Sequence, residues 1–132
     1  MKLKSVGSFI ILSASVLAVL SSCKKEETKD ITAPVIERVS PKDHAYADEG
    51  DTVRFTIHFS DDKSLGAVSL HITEALNDSD ILKIEANAGG NLTYTIDTTV
   101  IIRHSSNQYN YELKARDLAG NETVSDNHVH IR

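Results

Sequence analysis

Two groups of side chains in this sequence are spaced for chemistry. Asp61 and Asp62 stand together in one polar turn, and Asp117 and Asn121 stand four apart in another. Four oxygen-bearing side chains on two turns suit Ca²⁺, which takes about 6–8 oxygen ligands. They form no contiguous loop with calcium-ligand spacing. Asp and Asn also cap their own turns by accepting backbone N–H groups. Two readings of Asp61, Asp62, Asp117 and Asn121 therefore stand: turn caps, or an assembled calcium site. The second group is histidine. His128 and His130 lie two apart, which on a strand places both on one face, and His71 lies in another alternating stretch. Zinc needs three or four such ligands with outer support. A solvated sheet face is the plainer account of these histidines.

Catalysis finds little footing. Carboxylates are scattered over turns and polar faces, no nucleophile-elbow sequence occurs, and no Gly-rich phosphate loop follows a strand. Gly89-Gly90 marks a turn. No catalytic residue, enzyme activity or organic cofactor is assigned. Glycan platforms usually need exposed aromatic rings; the chain has no Trp and 4 Tyr, of which Tyr46 and Tyr94 fall outside the apolar alternation.

The elements that must position these groups are strands. Val53, Phe55, Ile57 and Phe59 alternate with Arg54, Thr56, His58 and Ser60, a period of two with one apolar face. Val68, Leu70 and Ile72 repeat the pattern, as do Tyr109, Tyr111, Leu113 and Ala115. Residues 35–39 predict a short first strand, and residues 41–50 a turn-rich connection. Residues 92–103 are rich in Thr, Ile and Val and predict another strand. Residues 81–86 read as a short strand or a helical turn, with strand favoured. The last strand ends at Val129 and Ile131, inward-facing, with His128 and His130 outward. The pattern predicts an all-β sandwich of about seven antiparallel strands, with Phe55 and Leu113 facing inward from opposite sheets.

The ends and the charge bound where such a domain works. Lys2 and Lys4 precede an apolar run from Ile10 to Leu20. It is too short and Ser-rich for a spanning helix, which needs about 20 apolar residues, so it reads as a secretory signal. Leu20-Ser21-Ser22-Cys23 resembles a bacterial lipobox. Residues 1–22 are then the signal, and Cys23, the sole cysteine, is the lipidation site and mature N-terminus. With that thiol acylated, no disulfide, cysteine nucleophile or cysteine metal ligand remains. Removing Lys2 and Lys4 takes the formal charge from −5 to −7. An acidic chain without a basic patch argues against nucleic acid and against electrostatic docking to anionic lipid. Residues 23–33 form a charged, flexible tether and residues 34–132 one domain.

Tyr111-x-Leu113-x-Ala115-x-Asp117-x-x-Gly120-Asn121 resembles the penultimate strand and hairpin of bacterial immunoglobulin-like and fibronectin type III-like domains. Asp61-Asp62, Leu65-Gly66 and the strand through Val68, Leu70 and Ile72 fit an earlier loop and strand of these modules, and Ala33-Pro34-Val35-Ile36 fits their start. The chain thus resembles Bacteroidetes lipoproteins carrying a single such domain. Some of these have a His-rich motif after the third strand; His71-Ile72-Thr73-Glu74 does not reproduce it. Cysteine pair and core tryptophan are missing, which excludes antibody-type domains. Tyr109 or Tyr111 is expected to be a core aromatic or a tyrosine corner.

The resemblance implies an immunoglobulin-like β-sandwich in which the loop at Asp61, the loop at Asp117 and the chain near Thr32 and Pro34 share one end. That arrangement is what a calcium site needs. Lys25-Glu26-Glu27 resembles the surface-export signal of Bacteroidetes lipoproteins. Asp51-Thr52-Val53 and Asp97-Thr98-Thr99 resemble their O-glycosylation acceptors. The expected role is a non-enzymatic binding, adhesion or assembly module, lipid-anchored at the outer membrane and displayed outward. Its expected partners are the membrane, through the lipid, and a surface protein or glycan. Rival readings are an accessory glycan-binding lipoprotein of polysaccharide uptake and a calcium-stabilised structural domain.

Overall fold

The computed structural model describes residues 28–103 and 106–132. The expected signal, Cys23 and the Lys25-Glu26-Glu27 run lie outside the described residues.

Eight strands follow in order: β1 (Val35–Ser40), β2 (Ala45–Ala47), β3 (Thr52–Ser60), β4 (Leu65–Glu74), β5 (Asp80–Asn87), β6 (Thr93–Ile101), β7 (Gln108–Asp117) and β8 (Glu122–Ile131). They form two sheets, one ordered β1-β3-β6 and the other β2-β8-β7-β4-β5. The first and second long strands thus share one sheet, while the third joins the last two in the other. This is the division that defines an immunoglobulin-like sandwich.

The period-two stretches account for the core. Phe55, Ile57 and Phe59 of β3 and Ile96 and Val100 of β6 are buried from one sheet. They meet Val68, Leu70 and Ile72 of β4, Tyr109, Tyr111, Leu113 and Ala115 of β7, and Val129 of β8. Phe55 meets Tyr111 edge to face, ring centroids 5.3 Å apart, so one aromatic pair bridges the two sheets. Each fully buried large apolar side chain contributes about 1.5–3 kcal/mol by leaving water.

Both core tyrosines find partners for their hydroxyls. Tyr109 Oη donates to the Arg103 carbonyl and accepts from the Arg103 N–H, each at 3.1 Å. That contact, reaching back to backbone six residues upstream, is a tyrosine corner. Tyr111 Oη accepts from Arg38 Nη1 at 3.4 Å.

The structure departs from the sequence reading at two places. Among the described residues the strands number eight where about seven are expected, because β2 lies inside the stretch expected to be only turns. Three residues are too few to display a period of two. β2 is also parallel to β8, pairing Ala45 with Val129 and Tyr46 with His130, so the sandwich is not wholly antiparallel. It covers an edge that β8 would otherwise leave open. Residues 81–86 resolve as strand: β5 pairs antiparallel with β4 along its length.

One glycine shapes the end where the loops gather. The β4–β7 register shifts between Leu65 and Ala67. A Cβ on Gly66 would stand 3.1 Å from the carbonyl oxygens of Arg116 and Asp117. Glycine is the residue that lets the two backbones approach there.

Candidate metal centre

Three loops and the incoming chain are tied together at one end of the sandwich. The turn after β3 is joined to the β5–β6 loop by Asp61 N–H to the Leu92 carbonyl and Leu65 N–H to the Asn91 carbonyl, both 2.9 Å. It is joined to the β7–β8 hairpin by Leu118 N–H to the Ser64 carbonyl at 3.1 Å. The hairpin turns at Gly120, whose φ of 96° favours glycine. The segment before β1 is held by Thr123 Oγ1 donating to the Pro34 carbonyl at 2.5 Å and Asn121 Nδ2 donating to the Asp30 carbonyl at 3.2 Å.

These ties bring three carboxylates together. Asp30, Asp61 and Asp117 each offer an oxygen within 4.8 Å of the other two. Calcium–oxygen bonds run about 2.3–2.6 Å, so ligands of one ion lie at most about 5 Å apart. Asp117 is 4% exposed, and the Asp30 side chain is 8% exposed.

The two readings of these aspartates prove compatible, because each carboxylate has two oxygens. Asp61 Oδ1 accepts from the backbone N–H of Lys63 at 2.9 Å and of Ser64 at 2.7 Å, which caps its turn. Asp30 Oδ1 accepts from Thr32 N–H at 3.1 Å. The second oxygens, Asp61 Oδ2 and Asp30 Oδ2, are buried without a hydrogen-bond partner. Buried carboxylate oxygens without donors are costly, and native structures rarely leave them so. A cation among the three carboxylates would supply what the caps do not. Lys63 Nζ, 3.9 Å from Asp30 Oδ1, offsets part of the charge from the rim.

Asn121 belongs to the cluster through its hold on Asp117 and on the incoming chain. Its Nδ2 donates to Asp117 Oδ2 at 2.7 Å, and its backbone N–H to Asp117 Oδ1 at 2.8 Å. Its amide nitrogen faces two acceptors, Asp117 Oδ2 and the Asp30 carbonyl. Burial pushes the Asp117 carboxyl upward in pKa. Hydrogen bonds from the Asn121 side chain and the N–H groups of Asn121, Gly120 and Ala119 outweigh it and hold the group below the usual carboxylate range. Asp62 is exposed and lies outside the three.

Sequence reasoning missed Asp30. Its place in a polar run read as tether hid it, although the chain near Thr32 and Pro34 was expected at this end.

Among the histidines, His71 stands apart from the last strand, as the expected sheet order implies. His71 Nε2 lies 2.6 Å from Asp80 Oδ1, and β7 stands between β4 and β8. The partner that joins His128 and His130 is instead His44; ring nitrogens of these three lie within 4.8 Å of one another. Among the other singled-out residues, Tyr46 is exposed and Tyr94 half-buried against the core. Thr52 is exposed at the head of β3 and Thr98 half-buried in β6.

Fold and site together define an immunoglobulin-like β-sandwich module with an acidic cluster at the end where the chain enters. The chain belongs to the family described as a domain of unknown function (DUF4625), whose model matches residues 21–132. No curated protein matches it. Among solved structures it is similar to a Niemann-Pick type C2 protein from Japanese carpenter ant, at 10% identity and a TM-score of 0.45, covering 76% of this chain and 90% of that one. It is also similar to murine CRIg, at 11% identity and a TM-score of 0.41, covering 76% and 98%.

Proposed function

We propose that this chain is a lipid-anchored, non-enzymatic binding or assembly module whose junction between tether and domain is locked by calcium. The observation that carries the reading is the burial of Asp30 Oδ2 and Asp61 Oδ2, partnerless, beside Asp117. Asp30 sits in the segment that would lead to a lipid on Cys23. An ion binding it to two loops of the sandwich would convert a loose leash into a fixed stalk, which favours presenting one surface in a set direction. The lipobox-like Leu20-Ser21-Ser22-Cys23 and the likeness to Bacteroidetes lipoproteins support placement at the outer face of an outer membrane. Among the described residues, no helix is long and apolar enough to cross a membrane. Tyr46 offers one exposed ring, stacked on His130, rather than an aromatic platform. That favours a protein or assembly partner over glycan capture.

Thermal melting with calcium and with chelator tests the lock. Free calcium at about 100 times its dissociation constant adds about 2.7 kcal/mol to the folded state. For a domain of this size the melting temperature should rise by roughly 10–20 °C. Magnesium should do less, since it demands a tighter octahedral shell. Asp30→Asn should abolish the rise while leaving the melting temperature in chelator near wild type, and Asp62→Asn should leave the rise intact. Coincident curves with and without calcium would return these aspartates to turn capping alone.

A further inference from the structure

The opposite end of β8 carries a second cluster, made of nitrogen rather than oxygen. β8 leaves the acidic end at Asn121 and reaches His128 and His130 after seven to nine residues. At about 3.3 Å per residue that is roughly 23–30 Å. His128 Nε2 and His130 Nε2 lie 3.0 Å apart, with their rings edge to face at 4.5 Å. His44 approaches from the turn before β2, its ring centroid 5.7 Å from that of His128 and 6.4 Å from that of His130.

The parallel register explains the meeting. Pairing Ala45 with Val129 and Tyr46 with His130 puts His44 beside His128, one step back along both strands. His44 has a φ of 55°, in the left-handed region that non-glycine residues seldom occupy. The turn is held from beneath: Asp43 Oδ1 accepts from Asn127 Nδ2 at 2.8 Å and from Arg38 Nη1 at 2.5 Å. The His130 ring is stacked on Tyr46, centroids 5.0 Å apart. The His130 ring is thus fixed by packing, and the His128 ring lies edge-on against it. His44, exposed on its turn, has room to close the remaining distance.

We propose that His44, His128 and His130 bind a transition-metal dication, Zn²⁺ or Cu²⁺, with a fourth position left to water or an external ligand. Two Nε2 atoms 3.0 Å apart cannot both carry a proton toward each other; one at least presents a lone pair. Nitrogens bound at about 2.0–2.1 Å to one tetrahedral ion lie about 3.3–3.4 Å apart, close to the spacing already present. Three imidazoles with no carboxylate or thiolate select a borderline cation over calcium or magnesium. Calcium and the transition metal thus occupy opposite ends of the molecule and use disjoint residues. A bound metal would also pin β2, a strand of three residues, to β8.

Isothermal titration of untagged, chelator-stripped protein with Zn²⁺ and Cu²⁺ tests the assignment. The expected result is one equivalent per chain with micromolar or tighter affinity, and a Cu²⁺ electron paramagnetic resonance signal split by nitrogen. His44→Asn, chosen because Asn tolerates the left-handed turn, should weaken binding by at least about tenfold, and His130→Gln should do the same. His58→Ala and Asp30→Asn should bind as the parent does. Equal affinity in His44→Asn, or no binding tighter than about 100 μM in the parent, would overturn the proposal and leave a ring cluster held by packing and a nitrogen–nitrogen hydrogen bond. Circular dichroism of each variant separates lost binding from lost fold.

Discussion

At the scale of single residues, the sandwich's outer faces are laced with carboxylates held in their charged form. Arg54 Nε donates to Asp97 Oδ1 at 2.8 Å while Nη2 donates to Oδ2, a two-pronged contact between β3 and β6. The hydrogen bonds from Arg54 hold the Asp97 carboxyl below its ordinary value of 3.8. Arg38 does the same for Asp43, and Lys83 for Glu85. A carboxylate depressed on folding contributes stability that is complete above its unfolded pKa and is lost as pH falls through its folded one. The melting temperature should therefore hold steady from neutral pH down to about pH 5 and fall below about pH 4. Asp97→Asn should flatten that fall slightly, since the contact is exposed and screened. Melting curves at fixed ionic strength from pH 2 to 7 check it, and a domain that gains stability on acidification would contradict the sign. Single residues were also where the sequence was least readable. Asp61 and Asp117 stand in turns that show themselves as turns, so their candidacy was visible. Asp30 and His44 are brought in by long-range pairing, of Asp30 with Asn121 and of β2 with β8, and no local pattern encodes either.

At the scale of elements, legibility followed length. β3, β4 and β7 run nine or ten residues each, with alternating burial. Three or four apolar positions of one parity leave no doubt which face is inward, because a slip of one residue would expose them all. β2 has three residues and β5 is an edge strand whose Ile81, Leu82 and Ile84 are only half-buried. A partly buried edge has no sharp period, which is why residues 81–86 resembled a helical turn. The register carries its own test. Phe55 on β3 is 1% exposed and Leu113 on β7 is 0% exposed, from opposite sheets. Truncating a buried Leu or Phe to Ala costs about 2–5 kcal/mol through lost transfer energy and the cavity left behind. Small domains hold about 5–15 kcal/mol in all. Phe55→Ala and Leu113→Ala should each lower the denaturant midpoint sharply or prevent folding, with the Phe55 change also stripping Tyr111 of its edge-on partner. Urea midpoints unchanged in both would refute the packing of the two sheets.

At the scale of the whole molecule, the two clusters divide the sandwich along its long axis. The described chain enters at the acidic end, so a lipid on Cys23 would lie upstream of that end, with the histidine cluster at the other. Residues 28–33 have no regular secondary structure, yet the Asp30 side chain is largely buried; six residues, 24–29, would then separate a lipidated Cys23 from a packed side chain. Acyl chains contribute about 0.8 kcal/mol per buried CH₂, and stable attachment takes more than one chain. If Lys2 and Lys4 leave with a signal, the formal charge becomes −7, and so acidic a chain would owe membrane residence to a lipid rather than to electrostatic attraction. Cys23→Ser should therefore move the protein wholly into the soluble fraction of lysed cells, with the sandwich intact by circular dichroism and the calcium-dependent melting shift retained. Metabolic labelling with a fatty-acid analogue should mark the parent and not the variant. A Cys23→Ser protein that stays with membranes after an alkaline wash would mean that the apolar run from Ile10 to Leu20 is itself the anchor, and the short leash inferred here would be replaced by a helix-borne one.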